Sequence, residues 1–233
     1  TKSIFMNKYF LLIFISIFSL SFAQAQEYSF GIKGGGNYVM GGELTGLDSG
    51  EGFNSDTFNA ESQFGFHAGI FFELNFGKFF VRPEVIYNSM ETEFAFPVQN
   101  STYAVEKLSI PLLFGYNVWG PVDVYAGPAY QNIMNATLQG TEPVNQTIVA
   151  QNTPLAAQAG VKVGFGRFEV DLRYDRSLAS AETQPIDINN GNYGVNRANF
   201  TDTRLNQIML SLSFKIGDSE SNTGRRRGRG CYF

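Results

Sequence analysis

Residues 107–130 read KLSIPLLFGYNVWGPVDVYAGPAY, and this stretch decides the fold. Leu108, Ile110, Leu112, Phe114, Tyr116 and Val118 alternate with Lys107, Ser109, Pro111, Leu113, Gly115 and Asn117. A period of two over about ten residues is the signature of a β-strand whose two faces meet different surroundings. Trp119-Gly120-Pro121 then gives a tight turn, and a second alternating run from Val122 to Tyr130 sets Asp123, Tyr125 and Gln131 on the side opposite the apolar stripe.

The same pattern recurs outward in both directions. Upstream it covers Tyr28 to Tyr38, Phe64 to Phe76 and Phe79 to Asn88; downstream it covers Leu155 to Phe165, Phe168 to Tyr174 and Ile208 to Ile216. Eight such segments are predicted. Asn75-Phe76-Gly77-Lys78, Trp119-Gly120-Pro121 and Gly164-Phe165-Gly166-Arg167 join them tightly, whereas Val39 to Gln63, Met90 to Ala104, Thr137 to Pro154 and Leu178 to Thr203 are long and polar. Short turns at one end and long loops at the other describe an eight-stranded antiparallel up-and-down transmembrane β-barrel, with both termini on the short-turn, periplasmic side. Pro83, Pro111 and Pro128 fall inside segments, where a missing N–H predicts local bulges.

Composition agrees with lipid-facing strands. Of 233 residues, 43% are hydrophobic and 15% aromatic but only 16% charged, against roughly 25% charged in an average soluble domain. Mean hydropathy is nevertheless −0.12, and the one long apolar run is N-terminal, which excludes a polytopic helical protein. That run, MNKYFLLIFISIFSLSFAQA at residues 6–25, has a basic start at Lys8, an apolar centre and an Ala23-Gln24-Ala25 cleavage site, so residues 1–25 are read as upstream residues and a secretory signal peptide. The barrel is assigned to residues 26–217. Residues 218–233, with Arg225, Arg226, Arg227 and Arg229, are read as a basic disordered tail, and no nucleic-acid role is expected of an exported chain.

The inward faces carry the candidate site. Lys33, Arg82, Lys107, Lys162, Arg173 and Lys215 stand against Glu73, Glu84, Asp123, Glu169, Asp171 and Asp175. Six cations facing six anions inside a barrel of this size, which side chains fill, predict a closed lumen plugged by structural ion pairs. Residues 26–216 hold 11 basic and 19 acidic residues, so the acidic excess lies outside the lumen, mainly on the long loops. That rim is a candidate contact for divalent cations bridging to lipopolysaccharide, or for a basic protein partner.

One His (His67) and one Cys (Cys231) provide no metal site and no cofactor chemistry. An outer-membrane enzyme of the small-barrel type would need His67 to meet an inward carboxylate, with Asp175 the candidate across the lumen. Gly34-Gly35-Gly36 lacks the Lys-Ser/Thr of a phosphate loop and reads as close strand packing. A soluble barrel binding an apolar ligand and a diffusion pore are the remaining alternatives.

In its IPLL strand, short turn and following YAGP strand, the 107–130 stretch resembles the PorT-like outer-membrane β-barrel family typical of Bacteroidetes. FGIKGGGNY (residues 30–38), FFVRPEVIY (79–87) and LSLSFKIG (210–217) extend the resemblance across most of the mature chain. It implies an eight-stranded barrel with no catalytic residues to inherit, and one branch of the family is linked to protein secretion across the outer membrane. The expected protein is a monomeric, non-enzymatic outer-membrane barrel whose partners are lipid, lipopolysaccharide and a protein at the outer loops.

Overall fold

The computed structural model describes residues 27–47, 57–141, 154–180 and 183–219. The leader, most of the basic tail and the acidic positions Asp48, Glu51, Asp56, Glu142 and Glu182 lie outside the described residues. In chain order the elements are β1 (Glu27–Met40), β2 (Glu43–Gly46), β3 (Thr57–Asn59), β4 (Glu61–Ser62), β5 (Phe64–Phe76), β6 (Phe79–Ala95), β7 (Asn100–Trp119), β8 (Val122–Leu138), β9 (Leu155–Phe165), β10 (Phe168–Ser177), β11 (Gln184–Asp187), α1 (Asn190–Tyr193), β12 (Arg197–Asp202) and β13 (Asn206–Asp218).

Eight of these strands close into an antiparallel ring, β1-β5-β6-β7-β8-β9-β10-β13, with β13 pairing back onto β1. The turns β5–β6, β7–β8 and β9–β10 each place a glycine (Gly77, Gly120, Gly166) at positive φ, a conformation that costs other residues. The stagger of the ring can be read from its pairing. From Tyr174, one direction leads through Ile208 to Tyr38, and the other through Ala159, Ala126, Phe114, Val81 and Leu74 to Tyr28. The two walks end ten residues apart on β1, and with ordinary strand rise and spacing that stagger tilts the strands by about 40°.

Outward side chains of the barrel wall are apolar and exposed, among them Ile32, Ile70, Leu112, Phe114, Val161, Leu172, Leu210 and Leu212. Aromatic rings gather on that face at two levels. Tyr28–Phe72, Phe79–Tyr116 and Phe168–Phe214 contacts lie towards the short turns, and Tyr38–Phe64 and Phe66–Tyr87 contacts towards the long loops. Tyr28 and Tyr38 mark both levels on one strand; at about 3.4 Å per residue and about 40° of tilt they stand about 25 Å apart along the axis, the height of a bilayer-spanning apolar band.

Two expectations are corrected. The bulges expected at Pro83, Pro111 and Pro128 are absent, because register is kept through all three. The register shifts fall instead at Phe30/Gly31, Glu106/Lys107 and Asn117/Trp119. The segment Met90 to Ala104, expected as a loop, is mostly strand: β6 runs on to Ala95 and β7 starts at Asn100. With β8 they form a tall wall above the long-loop end of the ring.

A second sheet, β11-β12-β2-β3, faces that wall. It continues the β1–β13 ladder beyond a bend in which Gly41 and Gly42 both adopt positive φ (105° and 98°). A Cβ on Gly41 would stand 2.6 Å from the Arg204 carbonyl oxygen, so the bend requires glycine there. Folding over at this point brings Leu44, Ala198 and Phe200 onto Met90, Phe94, Tyr103 and Val105, forming an apolar core completed by Phe96, Leu138, Ile186, Ile188, Tyr193 and Leu205. Phe200 packs edge-on against Tyr103 (4.8 Å between centroids) and Phe94 (5.7 Å). The long loops read as solvated polar connections therefore contribute an ordered apolar cap.

Candidate functional site

Below the cap the lumen is polar. Strand alternation points Lys33, Glu73, Arg82, Glu84, Lys107, Lys162, Glu169, Asp171, Arg173 and Asp175 inward, and each is at most 4% exposed. Asp123 and Lys215 lie nearer the short-turn opening, with side chains 20% and 19% exposed. All twelve residues take part in ion pairs.

Arg82 sits at the junction of one group, with Nη1 donating to Glu73 (3.0 Å) and Glu169 (2.6 Å) and Nε to Glu84 (2.7 Å). Lys162 pairs with Glu73 and reaches Asp123 and Glu169 at 3.7 Å each, and Lys215 joins at Glu169 (3.1 Å). Glu84 links this group to the next. It accepts from Arg173 Nη1 at 2.7 Å, and Arg173 Nη2 donates to Asp171 at 3.0 Å. Lys33 Nζ closes that cluster on Asp171 (2.8 Å) and Glu84 (3.4 Å). Five cations and five anions thus form one connected, neutral network, while Lys107 and Asp175 (3.0 Å) form a separate pair nearer the cap.

Neutral side chains supply the remaining partners. The Tyr125 hydroxyl donates to Asp171 and accepts from Arg173 Nε (3.0 Å), and Gln158 accepts from Arg173 Nη1 at 3.0 Å. Gln131 and Gln207 donate to Asp175 at 2.9 Å and 2.8 Å. Inward aromatics complete the filling: Arg82 lies over the Phe71 ring at 3.8 Å and Lys162 over the Phe80 ring at 4.0 Å. A buried charge is tolerated only with such complete pairing, since an unpartnered ion in a low-dielectric interior costs several kcal/mol.

His67 does not meet Asp175. Its ring bridges Asn37, on the adjacent strand β1, and Ser211 Oγ on β13 (2.8 Å). Serine, histidine and an orienting asparagine in this order reproduce the hydrogen-bond pattern of a hydrolytic triad. Two features withhold the chemistry. All three residues are at most 2% exposed, and β13 is paired on both sides at Ser211, to Gly35 and Asp171, which engages the backbone N–H groups an oxyanion hole would need. Composition could not have revealed this trio, because Asn37, His67 and Ser211 are far apart in sequence and meet only through ring closure. Among the described residues, no group of three or more His, Cys, Asp or Glu side chains could hold a metal ion.

Residues 22–181 match the family described as outer membrane protein beta-barrel domain. The chain belongs to that family. Outer-membrane barrels also recur among similar solved structures. Neisserial surface protein A (NspA) shares 11% identity at a TM-score of 0.43, covering 82% of this chain and 99% of its own. OprG from Pseudomonas aeruginosa shares 15% at 0.44, covering 82% and 96%. Ail, the attachment invasion locus protein of Yersinia pestis, solved with the heparin analogue sucrose octasulfate, shares 15% at 0.40, covering 82% and 99%. No curated protein matches the chain. This outer-membrane barrel therefore meets lipid through its apolar wall.

Proposed function

We propose that this outer-membrane barrel is a closed, non-catalytic, monomeric anchor that holds an ordered platform at the cell surface for a structural, surface-interaction or secretion-associated role. The observation carrying this reading is the connected lumen network, which fills the space a solute would need with paired charges. The apolar cap above it supports the same reading. A PorT-like affiliation within the Bacteroidetes, on the motifs at residues 107–130, fits a role in envelope assembly, and export follows from cleavage after Ala25. The expected external partner is a basic protein surface approaching the acidic outer side of β6 and β7, where Glu91, Glu93 and Glu106 alternate with buried residues.

The deciding experiment pairs cell fractionation and a heat-modifiable gel shift with planar-bilayer recording on the same folded protein. A detergent-resistant band from the outer membrane with a flat current trace is expected. Discrete conductance steps would overturn the closed lumen, and extraction in aqueous buffer without detergent would overturn the membrane barrel.

A further inference from the structure

The lipid-facing side of the eight barrel strands carries one cation among the described residues, Arg176. Lys33, Arg82, Lys107, Lys162, Arg173 and Lys215 point into the lumen, and Lys78 and Arg167 belong to the short turns. Along β10, exposed Phe168, Val170, Leu172 and Tyr174 alternate with buried residues, and exposed Arg176 follows as the next outward position. Its surroundings are apolar. Tyr174 lies below it, Ala157 is its partner on β9, and exposed Leu155 and Leu178 flank it.

Arg176 has no ion pair and no hydrogen bond within the described chain, unlike Arg204, which is committed to Asp202 and to the Ala179 carbonyl oxygen. The adjacent Asn206 uses Oδ1 to accept from the Ser177 N–H at 3.1 Å, which leaves its amide NH2 as a donor beside Arg176. A lone arginine near the middle of a lipid-facing wall costs roughly 2–4 kcal/mol, but the cost falls to about 0–1 kcal/mol near the interface. Arg176 is two residues beyond Tyr174, at the long-loop aromatic level, so its stem covers apolar surface while the guanidinium reaches the headgroups. An arginine there has strong reason to pair with a charge supplied by the membrane, because the described residues offer none.

The structure assigns Arg176, with the Asn206 amide, as a contact site for the phosphate group of an outer-leaflet lipid. A planar guanidinium offers two parallel N–H donors to two phosphate oxygens, and the amide adds a third donor. The site lies on the opposite side of the ring from the outward acids Glu91, Glu93 and Glu106, so an anionic lipid meets no carboxylate of that group. The assignment rests on the membrane barrel reading above.

The test folds the full chain, Arg176→Ala, Arg176→Lys and the control Arg197→Ala into phosphatidylcholine vesicles containing lipid A or phosphatidylglycerol. Native mass spectrometry of the re-purified protein then counts retained anionic lipid. Retention of lipid A by Arg176→Ala is expected to fall about fivefold, from about 1 kcal/mol per interfacial cation. Arg176→Lys should fall between it and the parent chain, Arg197→Ala should match the parent, and millimolar inorganic phosphate should not displace the lipid. Undiminished lipid A retention by Arg176→Ala overturns the site, and a loss confined to phosphatidylglycerol overturns the outer-leaflet assignment. Failure of the parent chain to give a heat-modifiable band would instead overturn the barrel reading itself.

Discussion

β6 and β7 pass through two environments, and their faces exchange character between them. In the lower part the outward residues are apolar (Val81, Val85, Leu112, Phe114) and the inward ones include Arg82, Glu84 and Lys107. In the upper part the inward residues are mostly apolar (Met90, Phe94, Tyr103 and Val105, with Thr92 and Ser101 among them), and the outward ones include Glu91, Glu93 and Glu106. The outer solvent sets the rule. Where it is lipid, polar groups are confined to the lumen and must be satisfied there; where it is water, the same ladder packs apolar groups inward as a soluble sheet does.

Substitution within the lumen network carries the largest expected penalty. Arg173→Met should leave Glu84 and Asp171 short of a shared partner and destabilise the folded barrel by about 3–5 kcal/mol. Urea titration of vesicle-embedded protein, followed by the gel shift, measures this. A loss below about 1 kcal/mol would mean that water enters and solvates the carboxylates. Phe200→Ala acts on the other region: removing a fully buried ring from the cap should cost about 3 kcal/mol, and the cost should be local. Proteolysis in the outer segments should accelerate while the heat-modifiable band survives. If the band is lost as well, cap and barrel are one cooperative unit.

The smallest expected effect concerns the strap between the two regions. Burial raises the affinity of the Asp202 carboxyl for its proton, but the side-chain and backbone N–H groups of Arg204 outweigh it and hold the carboxyl below its ordinary range. A carboxylate lowered in this way stabilises the fold above its unfolded value, about pH 4, and that contribution disappears as pH falls through the lowered value. The pair is about one-third exposed, so the contribution is about 0.5 kcal/mol after screening. Hydrogen-exchange protection factors at residues 197–205, each referred to the intrinsic rate at the same pH, should therefore fall about twofold below about pH 4 in the parent chain, and Asp202→Asn should remove that fall. An unchanged profile in Asp202→Asn would place the titrating group elsewhere.

The exchange of faces also explains what the sequence disclosed. Period-two alternation revealed all eight spanning strands, and inward placement of the twelve charges followed from the alternation. Met90-Glu91-Thr92-Glu93-Phe94 alternates just as regularly, but its outward residues are the carboxylates Glu91 and Glu93, so it lacks the apolar outward stripe of a lipid-facing strand and reads as loop. The cap is composed of short strands whose apolar residues (Leu44, Ile186, Ala198, Phe200) are single positions in polar surroundings, and only the Gly41–Gly42 bend brings them together. Individual partners were hidden for another reason. A stagger of ten residues decides which inward side chains share a level, and His67 therefore meets Asn37 and Ser211 rather than Asp175.

β13 closes the ring between β10 and β1 and contributes partners at successive levels of the lumen. Lys215 reaches Glu169, Ser213 reaches Arg82, Ser211 reaches His67 and Gln207 reaches Asp175. A slip of one residue in β13 would turn all four to the lipid side and carry Leu210, Leu212 and Phe214 inward. The register of the closed ring is therefore specified at β13, whose polar side chains find these partners only in this alignment.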